Sequence, residues 1–320
     1  MNADEADHVL PSEVRDRIAK LTDLRPEPLS GDLTGRLAGI DVLVTCWSCP
    51  PLTEGVLAGA DRLRAVIHAA GSVKPVTTAA VWRRGLAVSS AADANAGPVV
   101  DFTLAAITFA GKQALPSARP GFDRQQPVSG REGLDGRTIG LIGASRIGRG
   151  VVAGLAAAAP GRRHRILLYD PYVPAREAAG LGAERVDLDT LCRESSIVSV
   201  HAPELPETWH LLDARRLALI PDGGTVINTA RGSLVDTDAL TRECASGRLN
   251  AYLDVTDPEP LPPGHALLEM PNVLVTPHIA GVQGSELRRL GEYAAAEVER
   301  WVRGEPLLGL VTEAELPRLA

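Results

Sequence analysis

Residues 138–148 read Thr138-Ile-Gly-Leu-Ile142-Gly143-Ala-Ser145-Arg146-Ile147-Gly148. An apolar run of strand length ends in a glycine, and five residues later a second glycine opens an alanine-rich stretch. In a βαβ unit this is the turn that lays a pyrophosphate on a helix N-terminus. The middle position of the Gly-x-Gly-x-x-Gly pattern is Ser145, which costs backbone clearance and offers a hydroxyl instead. The next apolar run, Arg165-Ile-Leu-Leu-Tyr169, ends in Asp170, 22 residues after Gly148. That is near the spacing of about 20 at which a carboxylate meets an adenosine ribose. Such an acid favours NAD over NADP, because it repels a 2′-phosphate.

Working outward from this turn, short β-branched runs alternate with stretches of helical periodicity, the signature of βαβ units and a parallel sheet. Six runs belong with the glycine turn: Thr138–Ile142, Arg165–Tyr169, Ile197–Val200, Thr225–Asn228, Ala251–Val255 and Val273–Thr276. Six strands suit a full dinucleotide-binding sheet. A smaller set, Ile40–Thr45, Arg64–His68 and Leu86–Ser89, precedes them. Between the sets, Pro98–Lys112 has helical patterning, and Leu115–Gly136 is loop by its Pro, Gly, Arg and Gln content. A helical pattern over Ser285–Arg303 stops at Gly304-Glu-Pro306. The last 35 or so residues are too few for an independent core and are expected to return to the first domain. The expected architecture is α/β with two doubly wound parallel-sheet domains: a Rossmann domain at 98–284, inserted into a flavodoxin-like domain built from 1–97 plus 285–320.

Composition narrows the function classes. The chain has 320 residues, 45% hydrophobic and 23% charged, with a formal charge of −7, which suits two globular cores and argues against a nucleic-acid or anionic-membrane partner. The apolar stretch Val99–Gly111 is broken by Asp101 and falls short of the about 20 residues that span a bilayer. Met1–Arg17 carries acids and a proline where a secretory leader would carry a cationic start and an apolar run, so the chain reads as cytoplasmic. Four cysteines make no disulfide scaffold. Only Cys46 and Cys49 have a suggestive spacing, and with no second pair they read as loop thiols rather than a metal site.

Three consecutive strand ends then carry chemistry. Ile227-Asn-Thr229-Ala230-Arg231-Gly-Ser-Leu-Val-Asp236 ends an apolar strand in a small-residue turn presenting an arginine, and C-terminal strand ends line the ligand crevice of open α/β sheets. A fixed guanidinium there suits a carboxylate. Asp254-Val-Thr-Asp-Pro-Glu259-Pro260 and Thr276-Pro-His278-Ile-Ala-Gly281 follow at the next two ends. A carboxylate beside a histidine favours the charged imidazole and fixes its ring, as a proton donor to a carbonyl oxygen requires.

Together these segments resemble the D-isomer-specific 2-hydroxyacid dehydrogenase family, over roughly Val42–Val302. The likeness is strongest in Asn228–Asp236 with Ala239-Leu240, in Leu253 through Pro260, and in Asn272 through His278. The spacings from Arg231 to Glu259 to His278, 28 and 19 residues, also match the family's order. The resemblance implies hydride transfer between nicotinamide C4 and C2 of a small 2-oxo or 2-hydroxy acid. Arg231 would hold the substrate, His278 would be the general acid/base, and Glu259 would support the histidine. Substrate carboxylate contacts are implied at Gly71, Ser72 and Val73, with Asn95 opening the linking helix. Cofactor contacts are implied at Gly143, Ser145, Arg146, Ile147, Gly148, Asp170, His201, Ala202, Pro203, Thr208, Thr229, Ala230 and Asp254, the last to the nicotinamide carboxamide. A homodimer and no metal are also implied. Lys74-Pro75 departs from the family's usual acidic pair, and Asp101 stands where a glutamate is more usual. A catalytically idle NAD-binding regulator, like the superfamily's corepressors, is the alternative, distinguished by turnover of a 2-oxo acid.

Overall fold

The computed structural model describes residues 1–25, 27–118, 133–157 and 164–318. The chain forms two compact units, one from Met1–Ala96 with Val282–Leu319, the other from Gly97–Gly281.

In the first unit three strands lie parallel in the order of the chain: β1 (Val42–Thr45), β2 (Ala65–His68) and β3 (Ala87–Ser90). Their register aligns Thr45 with His68 and His68 with Ser90, so three polar residues form a row at the C-terminal edge. Because side chains alternate across a strand, the sheet buries two cores. Val66 and Val88 face Leu37, Leu52, Leu57 and Val81. Ile67 faces the other way, into Val9, Val14, Ile18, Leu290, Ala294 and Val298 of the helices Ala3–Val9, Ser12–Ala19 and Arg288–Arg303. The last of these helices begins three residues later than its periodicity suggested, and ends as expected at Gly304, in the left-handed region at φ 68°.

Among its described residues the second unit holds seven strands: β4 (Thr138–Ile142), β5 (Arg165–Tyr169), β6 (Glu184–Arg185), β7 (Ile197–Val200), β8 (Thr225–Asn228), β9 (Asn250–Leu253) and β10 (Val273–Val275). All pair in parallel in the order β6-β5-β4-β7-β8-β9-β10. The order reverses between β4 and β7, where open α/β sheets bind ligands. Ile139, Leu141, Leu168, Ile197 and Ile227 point to one core, Leu167, Val198, Val200 and Val226 to the other.

Two strands were not legible as strands. Six were expected in the second sheet; the seventh, Glu184–Arg185, is two exposed charged residues held only at an edge. A further strand, β11 (Leu310–Val311), pairs antiparallel with β3, so the first sheet is not wholly parallel. Buried Glu297 holds that return by accepting from Ser89 Oγ and from the backbone N–H groups of Leu308 and Gly309. The helix expected from Pro98 starts at Ala92, where Ser90 Oγ accepts from the Ala92 N–H, and carries Pro98 in its interior. Of the expected loop Leu115–Gly136, residues 119–132 lie outside the described residues, and Ala114–Ser117 is a short helix. Among the described residues no helix is long and apolar enough to cross a membrane.

Candidate active site

The arginine turn is built by the strand that ends in it. Asn228, the last residue of β8, is buried; its Oδ1 accepts from the Ala230 N–H at 3.0 Å and its Nδ2 donates to the Arg231 carbonyl at 2.8 Å. One side chain thus closes the turn from both directions, a local bond that asparagine makes well. Thr229 Oγ1 lies 2.9 Å from the hydroxyl of buried Thr103 on the helix Ala92–Gly111. Gly232 comes so close to the next strand's loop that a Cβ there would sit 1.9 Å from the Thr256 carbonyl oxygen. Half-buried Arg231 spends one guanidinium N–H on the Ala230 carbonyl, at 2.6 Å. A guanidinium has five donors in a planar fork, so this bond orients it and leaves a bidentate edge.

Glu259 and His278 come together although 19 residues apart: His278 Nδ1 lies 2.7 Å from Glu259 Oε1. Both are about half exposed, at 52% and 43% of their side-chain surface. With Nδ1 engaged, Nε2 is the nitrogen left to exchange a proton with a ligand. His278 is held at φ 57°, a left-handed conformation uncommon for a residue with a side chain. Its N–H donates to the Asp254 carbonyl at 3.0 Å. Asp254 itself is buried, and its carboxylate accepts from Thr276 Oγ1 at 2.6 Å and from the Ile279 and Ala280 N–H groups at 2.8 Å. The sequence reading aims Asp254 at the nicotinamide; in the structure its oxygens accept from the loop that carries His278.

At the β4–β7 reversal the glycine turn has the shape a dinucleotide requires. Gly143 is at φ 99°, and a Cβ on it would lie 2.7 Å from the Ala202 nitrogen and 2.8 Å from the His201 carbonyl. A Cβ on Gly148 would lie 2.1 Å from the Gly143 oxygen. Both glycines are therefore demanded by backbone approach, which brings Gly143, Gly148, His201 and Ala202 together. Ser145 Oγ accepts from the Gly148 N–H at 3.3 Å, so the serine caps the helix Arg146–Ala157. Asp170 stands beside the turn, its Oδ2 accepting from the Ala144 N–H at 2.8 Å. These residues fit a bound NAD: a cradle any side chain would fill, a helix N-terminus, and a carboxylate at its edge.

Two residues expected on the cofactor side also bond their own neighbours. The His201 ring is buried, its Nε2 2.9 Å from Ser199 Oγ and its Nδ1 without a partner among the described residues, and burial pushes its pKa down to about 3, while its backbone meets the turn. The Thr208 hydroxyl closes its own loop, donating to the Pro203 carbonyl at 2.7 Å and accepting from the Leu205 N–H at 2.8 Å. Beyond it, exposed Trp209 stacks on His210 with ring centroids 3.5 Å apart, and Ser233 Oγ donates to Glu204 at 2.6 Å, binding this loop to the arginine turn. Nothing in the spacing of these residues advertised that seam.

In the first unit, the loop after β2 places Gly71, Ser72 and Val73 over a polar floor. His68 is buried with Nδ1 2.9 Å from Thr45 Oγ1, and burial pushes its pKa down to about 4. Gly71 is hemmed by Asn95, whose Nδ2 would lie 3.3 Å from a Cβ there; Asn95 Oδ1 accepts from the Val282 N–H at 3.1 Å. The sequence reading passed over His68, a polar residue closing an otherwise apolar strand. Nearby, Cys46 and Cys49 are buried, and desolvation pushes their thiols up to about 12 and about 11, far from reactive thiolates. Among the described residues no cluster of His, Cys, Asp or Glu is arranged to hold a metal.

Comparison with known proteins identifies the family and the fold. Residues 110–280 match the family model described as D-isomer specific 2-hydroxyacid dehydrogenase, NAD binding domain. A D-3-phosphoglycerate dehydrogenase of Methanocaldococcus jannaschii is 31% identical over 292 residues, covering 90% of this chain and 54% of that protein. A glyoxylate reductase of Korarchaeum cryptofilum is 30% identical over 285 residues, covering 87% of this chain and 84% of the relative. The chain spans about half the length of the phosphoglycerate dehydrogenases it matches. Among solved structures, a protein of Thermus thermophilus superimposes with a TM-score of 0.74 at 30% identity, over 94% of this chain and 97% of that one. The NAD-complexed D-isomer specific 2-hydroxyacid dehydrogenase of Lactobacillus delbrueckii ssp. bulgaricus shares the fold, with a TM-score of 0.76 at 20% identity over 98% of both chains.

Proposed function

This chain belongs to the D-isomer specific 2-hydroxyacid dehydrogenase family, and on that premise we propose that it interconverts a small 2-oxo acid and its D-2-hydroxy acid with NAD(H). The observation that carries the reading is the His278–Glu259 pair at 2.7 Å, which joins the two strand-end loops that follow the one presenting Arg231. NAD(H), when bound, supplies the hydride couple. In reduction, His278 Nε2 gives its proton to the substrate carbonyl oxygen as negative charge develops there. Glu259 accepts from Nδ1–H, which fixes the ring and turns Nε2 towards the ligand. Arg231, its fork steadied by the Ala230 carbonyl, pairs with the carboxylate or the developing oxyanion. Backbone N–H groups of Gly71, Ser72 and Val73 are proposed to hold the carboxylate, with Asn95 bracing their loop. In oxidation the same residues act in reverse, His278 removing the hydroxyl proton.

We place Ser145, Arg146, Ile147 and Gly148 at the pyrophosphate, Asp170 at the ribose, and Ala202, Pro203, Thr229 and Ala230 along the cofactor. A homodimer is proposed from the family resemblance, and a reducing cytoplasm from four buried free thiols. The test is oxidation of NADH and NADPH by purified protein with glyoxylate, hydroxypyruvate, pyruvate, branched and aromatic 2-oxo acids and phosphohydroxypyruvate. NADH-dependent turnover that His278→Ala lowers by about 10²-fold or more supports the proposal. NADH binding without turnover of any member overturns it in favour of the idle regulator.

A further inference from the structure

We propose that the first unit selects a 2-oxo acid whose tail is apolar and unphosphorylated, with Trp47 as the residue that takes the tail and Glu5 as the charge that keeps a phosphate away. This rests on the dehydrogenase reading and on residues 71–73 as the carboxylate loop. Ligands of parallel α/β sheets lie at the C-terminal strand ends, so the residues able to meet a tail are those that follow β1, β2 and β3. Beside the loop after β2, the β3 side is already filled. Ser90 Oγ donates to the Gly71 carbonyl, and the Asn95 amide stands against Gly71. On the other side is the loop after β1, Cys46-Trp47-Ser48-Cys49, tied to the same backbone by the Cys46 thiol, which donates to the Ala69 carbonyl at 3.2 Å. A tail leaving the carboxylate loop therefore runs towards Trp47 and Ser48.

That loop has its polar donors taken. The Ser48 N–H donates to Glu5 Oε1 at 3.0 Å, the Ser48 hydroxyl donates to Glu5 Oε2, and the Asn2 N–H donates to that hydroxyl at 2.7 Å, so the helix Ala3–Val9 clamps the loop from outside. A phosphate binds through N–H and O–H donors and fixed cations. Here both donors of Ser48 face a carboxylate of the chain itself, which repels a dianion. Cations are scarce along the same edge. Residues 46–53, 69–78 and 91–95 hold one base, Lys74, which has a partner of its own, and one acid, Asp93. Arg62, Arg64 and Arg84 serve the opposite edge, on the Asp41 carboxylate and on the carbonyls of Asp61, Leu63, Leu57 and Ala60. The Met1 ammonium, whose field reaches Cys46 and Cys49, is turned to the Leu29 carbonyl at 3.3 Å. What the loop offers instead is an indole. Trp47 is 49% exposed between buried Cys46 and Cys49, an apolar face that a ligand's hydrocarbon can cover.

The experiment measures kcat/KM of wild type, Trp47→Ala, Trp47→Phe and Glu5→Gln for two matched pairs of substrates. Hydroxypyruvate and phosphohydroxypyruvate differ only by the phosphate; 4-methyl-2-oxopentanoate and glyoxylate differ by an apolar tail. Wild type is expected to favour the unphosphorylated member and the tailed member of each pair. Trp47→Ala is expected to lower the ratio of 4-methyl-2-oxopentanoate to glyoxylate by about 10–100-fold, the range that contact with a few methylenes supplies, and Trp47→Phe to restore most of it. Glu5→Gln keeps an acceptor for Ser48 but drops the charge, and is expected to raise phosphohydroxypyruvate relative to hydroxypyruvate by about 5–10-fold, the scale of one charge acting on a dianion through solvent. That gain should vanish in about 1 M KCl, where charges are screened within about 3 Å. Wild type preferring phosphohydroxypyruvate overturns the proposal, as does a Trp47→Ala protein with an unchanged tail ratio, or a Glu5→Gln protein with an unchanged phosphate ratio at low salt. Calorimetric titration of the NADH complex with D-2-hydroxy-4-methylpentanoate and with D-3-phosphoglycerate reads the same preference without turnover. Should wild type reduce no 2-oxo acid, the dehydrogenase reading fails, while tighter binding of the apolar acid, lost in Trp47→Ala, still supports the selectivity and tighter binding of the phosphorylated one overturns it.

Discussion

Three glycines on one helix, Gly148, Gly150 and Gly154, separate the cofactor role of this chain from its packing. An alanine Cβ at Gly148 would lie 2.1 Å from the Gly143 carbonyl oxygen. Ordinary contact between such atoms is about 3.3 Å, so the helix start and the turn must part by about 1.2 Å, the kind of overpacking that costs about 1–3 kcal/mol. At Gly150 and Gly154 the same methyl meets side-chain ends, Val100 Cγ2 at 2.6 Å and Leu104 Cδ1 at 2.4 Å, which can rotate. All three substitutions are therefore expected to lower urea stability of the second unit. Only Gly148→Ala moves the turn whose N–H groups would face pyrophosphate, and it is expected to weaken NADH by about 10–100-fold, equivalent to about 1.4–2.8 kcal/mol. The assay is an NADH fluorescence titration beside urea unfolding of each variant. The reasoning is refuted by Gly148→Ala binding NADH within twofold of wild type, or by Gly150→Ala losing as much affinity.

Other perturbations test the remaining parts. Glu259→Gln is expected to lower kcat/KM by about 10²-fold through loss of the charge behind the imidazole. Its unfolding free energy should change by no more than about 1 kcal/mol, since the pair is half exposed and screened; a large drop in melting temperature with normal rates would contradict this. Gly232→Ala, whose methyl would sit 1.9 Å from the Thr256 oxygen, is expected to destabilise the second unit by about 1–3 kcal/mol and depress kcat together, read by urea midpoints and initial rates. Acid should loosen both units through buried histidines. His201 is held at about 3 and His68 at about 4 by desolvation, against an ordinary 6.5. Depressed folded values mean the unfolded chain takes the proton first, so stability is intact above pH 6.5 and falls by about 1.4 kcal/mol per pH unit for each histidine as pH drops towards those values. At pH 5 that is about 2 kcal/mol each; a urea midpoint unchanged between pH 7 and pH 5 would sink the argument. Carboxylates such as Asp189, held at about 2 by Arg215 and Arg216, contribute only below about pH 4.

The sequence was most readable where a residue type has a single physical use. Gly143 and Gly148 could be placed because a turn between a strand and a helix N-terminus has room for nothing larger, and the Cβ positions at 2.1–2.8 Å from backbone bear this out. Parallel strands announced themselves as continuous apolar runs because both faces are buried. Glu184–Arg185 and Leu310–Val311 gave no such signal, since each is a two-residue edge pairing imposed by the neighbouring strand. The helices before residue 20 also went unread; their buried residues match only the surface they cover.

Order along the chain determined by itself that Arg231, Glu259 and His278 follow successive strands, for a parallel sheet delivers each strand end to one edge. What a side chain does at that edge was decided by tertiary structure. Asp254, His201 and Thr208 all carry groups able to meet a cofactor, and each also bonds its own neighbours: a loop, a serine and a carbonyl, with His201 Nδ1 left without a partner among the described residues. A sequence specifies which hydrogen-bonding groups a strand end carries. Their direction depends on donors brought from 20 or more residues away, such as the amides of Ile279 and Ala280 that turn Asp254 inward.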